Sequence, residues 1–148
     1  MIHIESEYDF PGKLLERAAQ AALTHEKQSP EAELSIVLTD DQHLHQLNRD
    51  YLGIDSPTDV LSFPASELDP ETGISYLGDI IISIPRARAQ AKAAGHALAV
   101  EVQLLVVHGT LHLLGHDHAK PGEKSKMWKV QAAILNELGL SGITIQES

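Results

Sequence analysis

The sequence predicts an α+β fold, a small mixed sheet of four strands packed with helices, one of which bears histidines and lies against the sheet. Three observations predict it. Strand-like stretches stand at Ile2–Glu5, Glu33–Thr39, Val60–Phe63 and Tyr76–Ile84. Apolar stripes at helical spacing separate the first three, and helical crossovers favour parallel neighbours. No helix separates the third stretch from the fourth, so that pair is expected to run antiparallel.

Ile2-His-Ile-Glu alternates as a short strand does, and Tyr8 to Gly12 reads as the turn after it. From Lys13, the residues Leu14, Leu15, Ala18, Ala21, Ala22 and His25 form the stripe of a helix that Gln28-Ser29-Pro30 ends. Glu33–Thr39 sets Leu34, Ile36 and Leu38 on one face of a strand. Asp40 or Asp41 caps a helix through Leu44, Leu47 and Asn48, on which His43 and His45 are surface residues. A polar loop with Asp55, Pro57, Thr58 and Asp59 feeds Val60–Phe63, and the polar Ala65–Ser75 predicts a surface hairpin or excursion. Tyr76–Ile84 is the strongest strand, and its continuous apolar run predicts cover on both faces and a central place in the sheet. Pro85 opens a helix carrying Arg86, Arg88 and Lys92 that stops at Gly95. The histidine helix follows. Pro121–Leu138 predicts the last helix, with Trp128, Ala132, Leu135 and Leu138 inward and Gly139 closing it.

A chain of 148 residues can bury a core without staples, and one domain over 1–148 is expected. With no cysteine, any metal must be held by nitrogen and oxygen, and a reducing, cytoplasmic setting is expected. No apolar run suits a membrane span and the start does not resemble a signal peptide, so no membrane partner is expected. The formal net charge of −10 opposes generic binding to nucleic acid, DNA included, unless basic residues gather locally.

Such chemistry concentrates in His108-Gly-Thr-Leu-His112-Leu-Leu-Gly115-His116-Asp117-His118, where four of nine histidines fall within eleven residues. Val100–Val107 leads into it without Gly or Pro, so a helix carries the first two. Residues four apart share a helix face, with Cβ atoms roughly 5–6 Å apart, so His108 and His112 can address one ion. Gly115 can take positive φ, end the helix and turn the chain back, so that His116 or His118 supplies a third nitrogen. Asp117 could orient an imidazole or handle a proton. The spacing is that of the metzincin site, except that Gly109 stands where those proteases have the glutamate that takes a proton from the metal-bound water. A peptidase or other metallohydrolase is one reading of the spacing, and Gly109 opposes it.

Three stretches together resemble the YbeY family of bacterial rRNA maturation factors: the histidine segment, Ser56-Pro57-Thr58-Asp59-Val60-Leu61-Ser62-Phe63-Pro64, and Leu77-Gly78-Asp79-Ile80. The resemblance extends from about Leu34 to Gly139. It implies a metal-dependent endoribonuclease directed at single strands, one zinc ion per chain, and RNA partners in the form of 16S rRNA precursor and ribosome. The activity implied is 16S rRNA 3′-end maturation and ribosome quality control. Carried over by position, His108, His112 and His118 are the metal ligands, and with Asp117 they form the expected catalytic set. Two positions depart from the family: His116 stands where tyrosine is common, and Leu52 where arginine is common. Arg49, one turn before Leu52, is a substitute phosphate contact, and His116 a further substrate candidate. Lys120, Lys124, Lys126 and Lys129 follow the metal loop, and Arg86, Arg88 and Lys92 share one helix; one of the two clusters is expected to line an RNA groove, with Lys124 and Lys126 the candidates singled out. A ribosome assembly factor in which the metal is only structural is the alternative from a different class.

Overall fold

The structure, a computed structural model, describes residues 1–145. It contains β1 (Ile2–Ser6), α1 (Gly12–His25), β2 (Glu33–Thr39), α2 (Asp41–Leu52), β3 (Val60–Leu68), β4 (Ser75–Ser83), α3 (Ile84–Ala94), α4 (Leu98–Leu113) and α5 (Pro121–Glu137). The mixed sheet has four strands in the order β1-β2-β4-β3. β1 pairs parallel with β2 and β2 parallel with β4, while β3 runs antiparallel to β4. The β1–β2 direction agrees with the crossover argument and the β3–β4 direction with the lack of a helix between them, whereas β3, reached from β2 through α2, is not its neighbour and runs against it.

Alternation does the sorting. Leu34, Ile36 and Leu38 of β2 and Ile80 and Ile82 of β4 are buried on the sheet face that meets α4. α4 is apolar nearly all round, with every residue from Glu101 to Leu111 buried between the sheet and helices α1, α3 and α5. Such a helix gains its place from burial rather than from an amphipathic pattern. No single helix among the described residues is long and apolar enough to cross a membrane.

Three expectations need correction. β3 continues past Phe63 to Leu68, so the expected excursion is a turn between Asp69 and Ile74, in which the Asp69 carboxylate accepts the Glu71 amide at 2.8 Å. Pro64 fits within β3 because this is an edge strand, where a missing N–H is tolerated, and the pairing shifts register between Pro64 and Glu67. β4 is central, but its second face is only partly covered, and Asp79 and Ile81 there are half-buried. In α5, Ala132 is exposed; the inward stripe is Met127, Gln131, Ile134, Leu135 and, just past the helix, Leu138. A small residue gave no directional signal, and the true stripe contains a glutamine.

Candidate metal centre

His108 and His112 lie on the last turns of α4, whose end the glycine sets. Gly115 takes φ +96°, its amide donates to the His112 carbonyl at 3.1 Å, and the His116 amide donates to the Leu111 carbonyl at 3.0 Å. These two bonds are the Schellman pattern, which satisfies carbonyls at the helix end and reverses the chain. The reversal brings His118 back to the helix. One ring nitrogen from each of His108, His112 and His118 lies within 4.8 Å of the others. His116 does not join them; its Nε2 is paired with the Glu26 carboxylate at the end of α1. Of the two histidines the sequence offered for a third nitrogen, His118 is the one that stands with His108 and His112.

The protonation state of the histidines suits a metal. His108 Nδ1 donates to Gln131 Oε1 of α5 at 2.9 Å, which leaves the lone pair on Nε2. That Nε2 sits 3.1 Å from His112 Nε2, near the roughly 3.3 Å between two nitrogens that bind one tetrahedral zinc at about 2.05 Å. Burial, and then the neighbouring imidazoles, push His108 down to about 4 and hold His112 below the usual histidine range. Both rings are therefore neutral at neutral pH, as ligands must be. Three nitrogens with no thiolate leave a fourth position for water or substrate, the pattern of a catalytic site.

Gly109 is where it is because the helix presses on the sheet. A Cβ there would lie 2.8 Å from Ile80 Cγ2 and 3.1 Å from Ser62 Oγ, and Ser62 Oγ donates to the Gly109 carbonyl at 3.1 Å. A glutamate at 109 has no room on this face, which removes the geometric basis for a zincin-type base.

The histidines form one wall of a cleft of about 440 Å³. Trp128 of α5 stands over them, its ring centroid 5.3 Å from His118 and 5.9 Å from His108. Leu52, Thr58, Asp59 and Ser62 complete the lining. The remaining candidates are dispersed. Asp117 accepts the His118 amide at 2.7 Å, so its carboxylate fixes the loop, and Gln131 rather than Asp117 orients the His108 imidazole. Arg49 is exposed beside Asp50, 3.3 Å from its Oδ1, and does not line the cleft. Lys124 lies 5.6 Å from the Trp128 ring centre. With Lys129 it lines a shallow groove on α5 that shares Trp128 with the cleft, whereas Lys126 lines neither. Sequence reasoning missed Gln131 as a partner of the site; the signal was a lone polar residue on an otherwise apolar helical stripe.

A model of the family described as endoribonuclease YbeY matches residues 3–139. An endoribonuclease YbeY from Desulfitobacterium hafniense is 48% identical over 135 residues, covering 86% of this chain and 85% of the relative. One from Pelotomaculum thermopropionicum is 46% identical over 131 residues, with 86% of each covered. A Thermotoga maritima protein known from its solution structure superposes with a TM-score of 0.59 at 26% identity, covering 94% of this chain and 92% of the other.

Proposed function

The chain belongs to the endoribonuclease YbeY family, and from that premise we propose that it is a zinc-dependent endoribonuclease, one domain over 1–148 with one zinc ion per chain, cutting single-stranded RNA in the cytoplasm. Its substrate is the 16S rRNA precursor, and its work is 3′-end maturation and ribosome quality control. The observation that carries the reading is the convergence of ring nitrogens of His108, His112 and His118 at one end of an open cleft, with His108 held by Gln131.

A zinc ion held by these residues supplies a Lewis acid for a phosphoryl oxygen and a bound water with a pKa lowered to roughly 7. The chain's own residues do the rest. His108, locked by Gln131, and His112 hold their lone pairs together, while Trp128 shields the site from one side. Asp117 keeps His118 in place through the backbone and offers an exposed carboxylate to carry a proton away. Lys124 and Lys129 give the RNA strand a positive path out of the cleft past Trp128. Lys126 and Arg49 lie off this path, and His116 is engaged by Glu26, so none of the three is assigned a contact with the strand.

The test is cleavage of an end-labelled, unstructured RNA by wild type and by His112→Ala, purified in parallel, with zinc measured on both. Cleavage by wild type alone, with zinc lost from a variant that stays folded, supports the reading. Equal cleavage by both points to a contaminant, and no cleavage by a fully zinc-loaded wild type returns the protein to the assembly-factor class. An unfolded His112→Ala would likewise make the metal structural.

A further inference from the structure

Behind the cleft wall that faces the histidines lies a polar network that the metal centre does not use. With its amide nitrogen turned to them, Gln90 of α3 donates to Glu101 Oε2 at 3.1 Å and to Asp59 Oδ2 at 3.2 Å. Glu101 is only 1% exposed, in the first turn of α4, and its other oxygen pairs with His96 Nε2 at 2.7 Å. Asp59 Oδ1 accepts the Val60 amide at 2.8 Å and the Thr58 hydroxyl at 3.4 Å. Glu101 precedes His108 by seven residues, two helical turns on the same face. The network thus ties the ligand helix to the far wall of the cleft.

Such an arrangement is costly. Burial raises both carboxyl groups above the usual carboxylate range, and apolar residues would fill the space more cheaply. What it gives in return is a carboxylate fixed in the cleft, with a lone pair of Oδ2 left to accept one more bond. A phosphodiester has no donor to offer it. The sugar of RNA has one, the 2′-hydroxyl, the group by which a protein tells RNA from DNA.

We propose that Asp59 is a specificity-determining residue that accepts a hydrogen bond from a ribose 2′-hydroxyl of the bound strand, and that Gln90 and Glu101 are positioning residues that hold its carboxylate there. The proposal rests on the endoribonuclease reading. The experiment compares cleavage rates on one RNA oligonucleotide and on copies with a single 2′-deoxynucleotide at each position flanking the cleaved bond. Wild type is expected to lose about 10- to 100-fold in rate at one position, as expected for a hydrogen bond to a charged group. Asp59→Ala and Gln90→Ala cleave slowly but lose that discrimination, and the double variant matches Asp59→Ala alone. Glu101→Gln, which can keep both bonds, retains discrimination, while Glu101→Leu loses it. Indifference of wild type to every deoxy substitution overturns the proposal and leaves the nuclease standing. So does retained discrimination in folded Asp59→Ala. Absence of any cleavage by wild type instead overturns the endoribonuclease reading beneath it.

Discussion

The two walls of the cleft are built differently. On the histidine wall, two of the three histidines share a helix face, a glycine turn returns the third, and Gln131 holds the first at 2.9 Å. The rest of the lining comes from a segment that begins exposed, where Tyr51 is 70% and Leu52 54% exposed. It is then tied down by Asn48 on the Ser56 carbonyl, by the Asp59 carboxylate on the Val60 amide and by Ser62 on the Gly109 carbonyl. Tyr51 finds support there against Phe63, the two rings 5.7 Å apart and edge to face. Spacing along one helix and its end brings the histidines together, while contacts between elements, Ser62 with Gly109 and Tyr51 with Phe63, place the rest of the lining.

The largest expected effect breaks the metal side with protons. His108 titrates near 4 when folded against 6.5 when free, so the unfolded chain binds more protons between those values. Stability of the metal-free protein is therefore fully present above about pH 6.5 and falls as pH drops towards 4, by about 3 kcal/mol from this residue alone. His112 is shifted in the same direction and adds to the loss. Urea unfolding in the presence of a chelator, at pH 7 and pH 4.5, measures it. Asp59 and Glu101, whose carboxyls burial raises, act in the opposite direction, so the same pair of measurements on His108→Gln isolates the histidine. An equal pH dependence in both proteins would mean that the histidine wall is not a buried, neutral one.

Next in size is the removal of Gln131. Gln131→Leu suits a stripe that already holds Met127 and Ile134, so the fold should survive, while zinc affinity falls roughly 10- to 100-fold as the His108 ring loses its acceptor. Competition with a chelating dye reads the constant. Asp117→Asn, whose oxygen can still take the His118 amide, should leave affinity close to wild type. A larger loss from Asp117→Asn than from Gln131→Leu would reverse the assignment of the orienting acceptor.

This contrast also explains what was legible in the chain. The i, i+4 histidines, the glycine turn, the central place of β4 and the antiparallel last pair all follow from patterns along the sequence, and the fold has them. What escaped were long-range pairings: Gln131 with His108, Gln90 with Asp59 and Glu101, and His116 with Glu26. Each joins residues from different elements, and a polar side chain carries no address in its own neighbourhood. Ala132 failed for the opposite reason, being small enough to stand on either face of α5.

The smallest effect sharpens the substrate side. Between Lys120 and Lys129 four lysines stand against one glutamate in a chain of net charge −10, but they do not share a face. Lys124 and Lys129 line the groove that meets the cleft at Trp128, and Lys126 lies outside it. If the strand follows that groove, each lost phosphate contact lowers the slope of log affinity against log salt by about 0.7 for a single strand, so the Lys124→Ala/Lys129→Ala pair should lose about 1.4. Lys126→Ala and Arg49→Ala, which remove the same charge elsewhere, should weaken binding at low salt through the general field while changing the slope much less. Binding of an unstructured RNA across a salt series separates the two patterns. Equal slopes for all the variants would mean that the basic helix attracts RNA without guiding it, and would leave Asp59 and Trp128 as the features of the cleft that locate the strand.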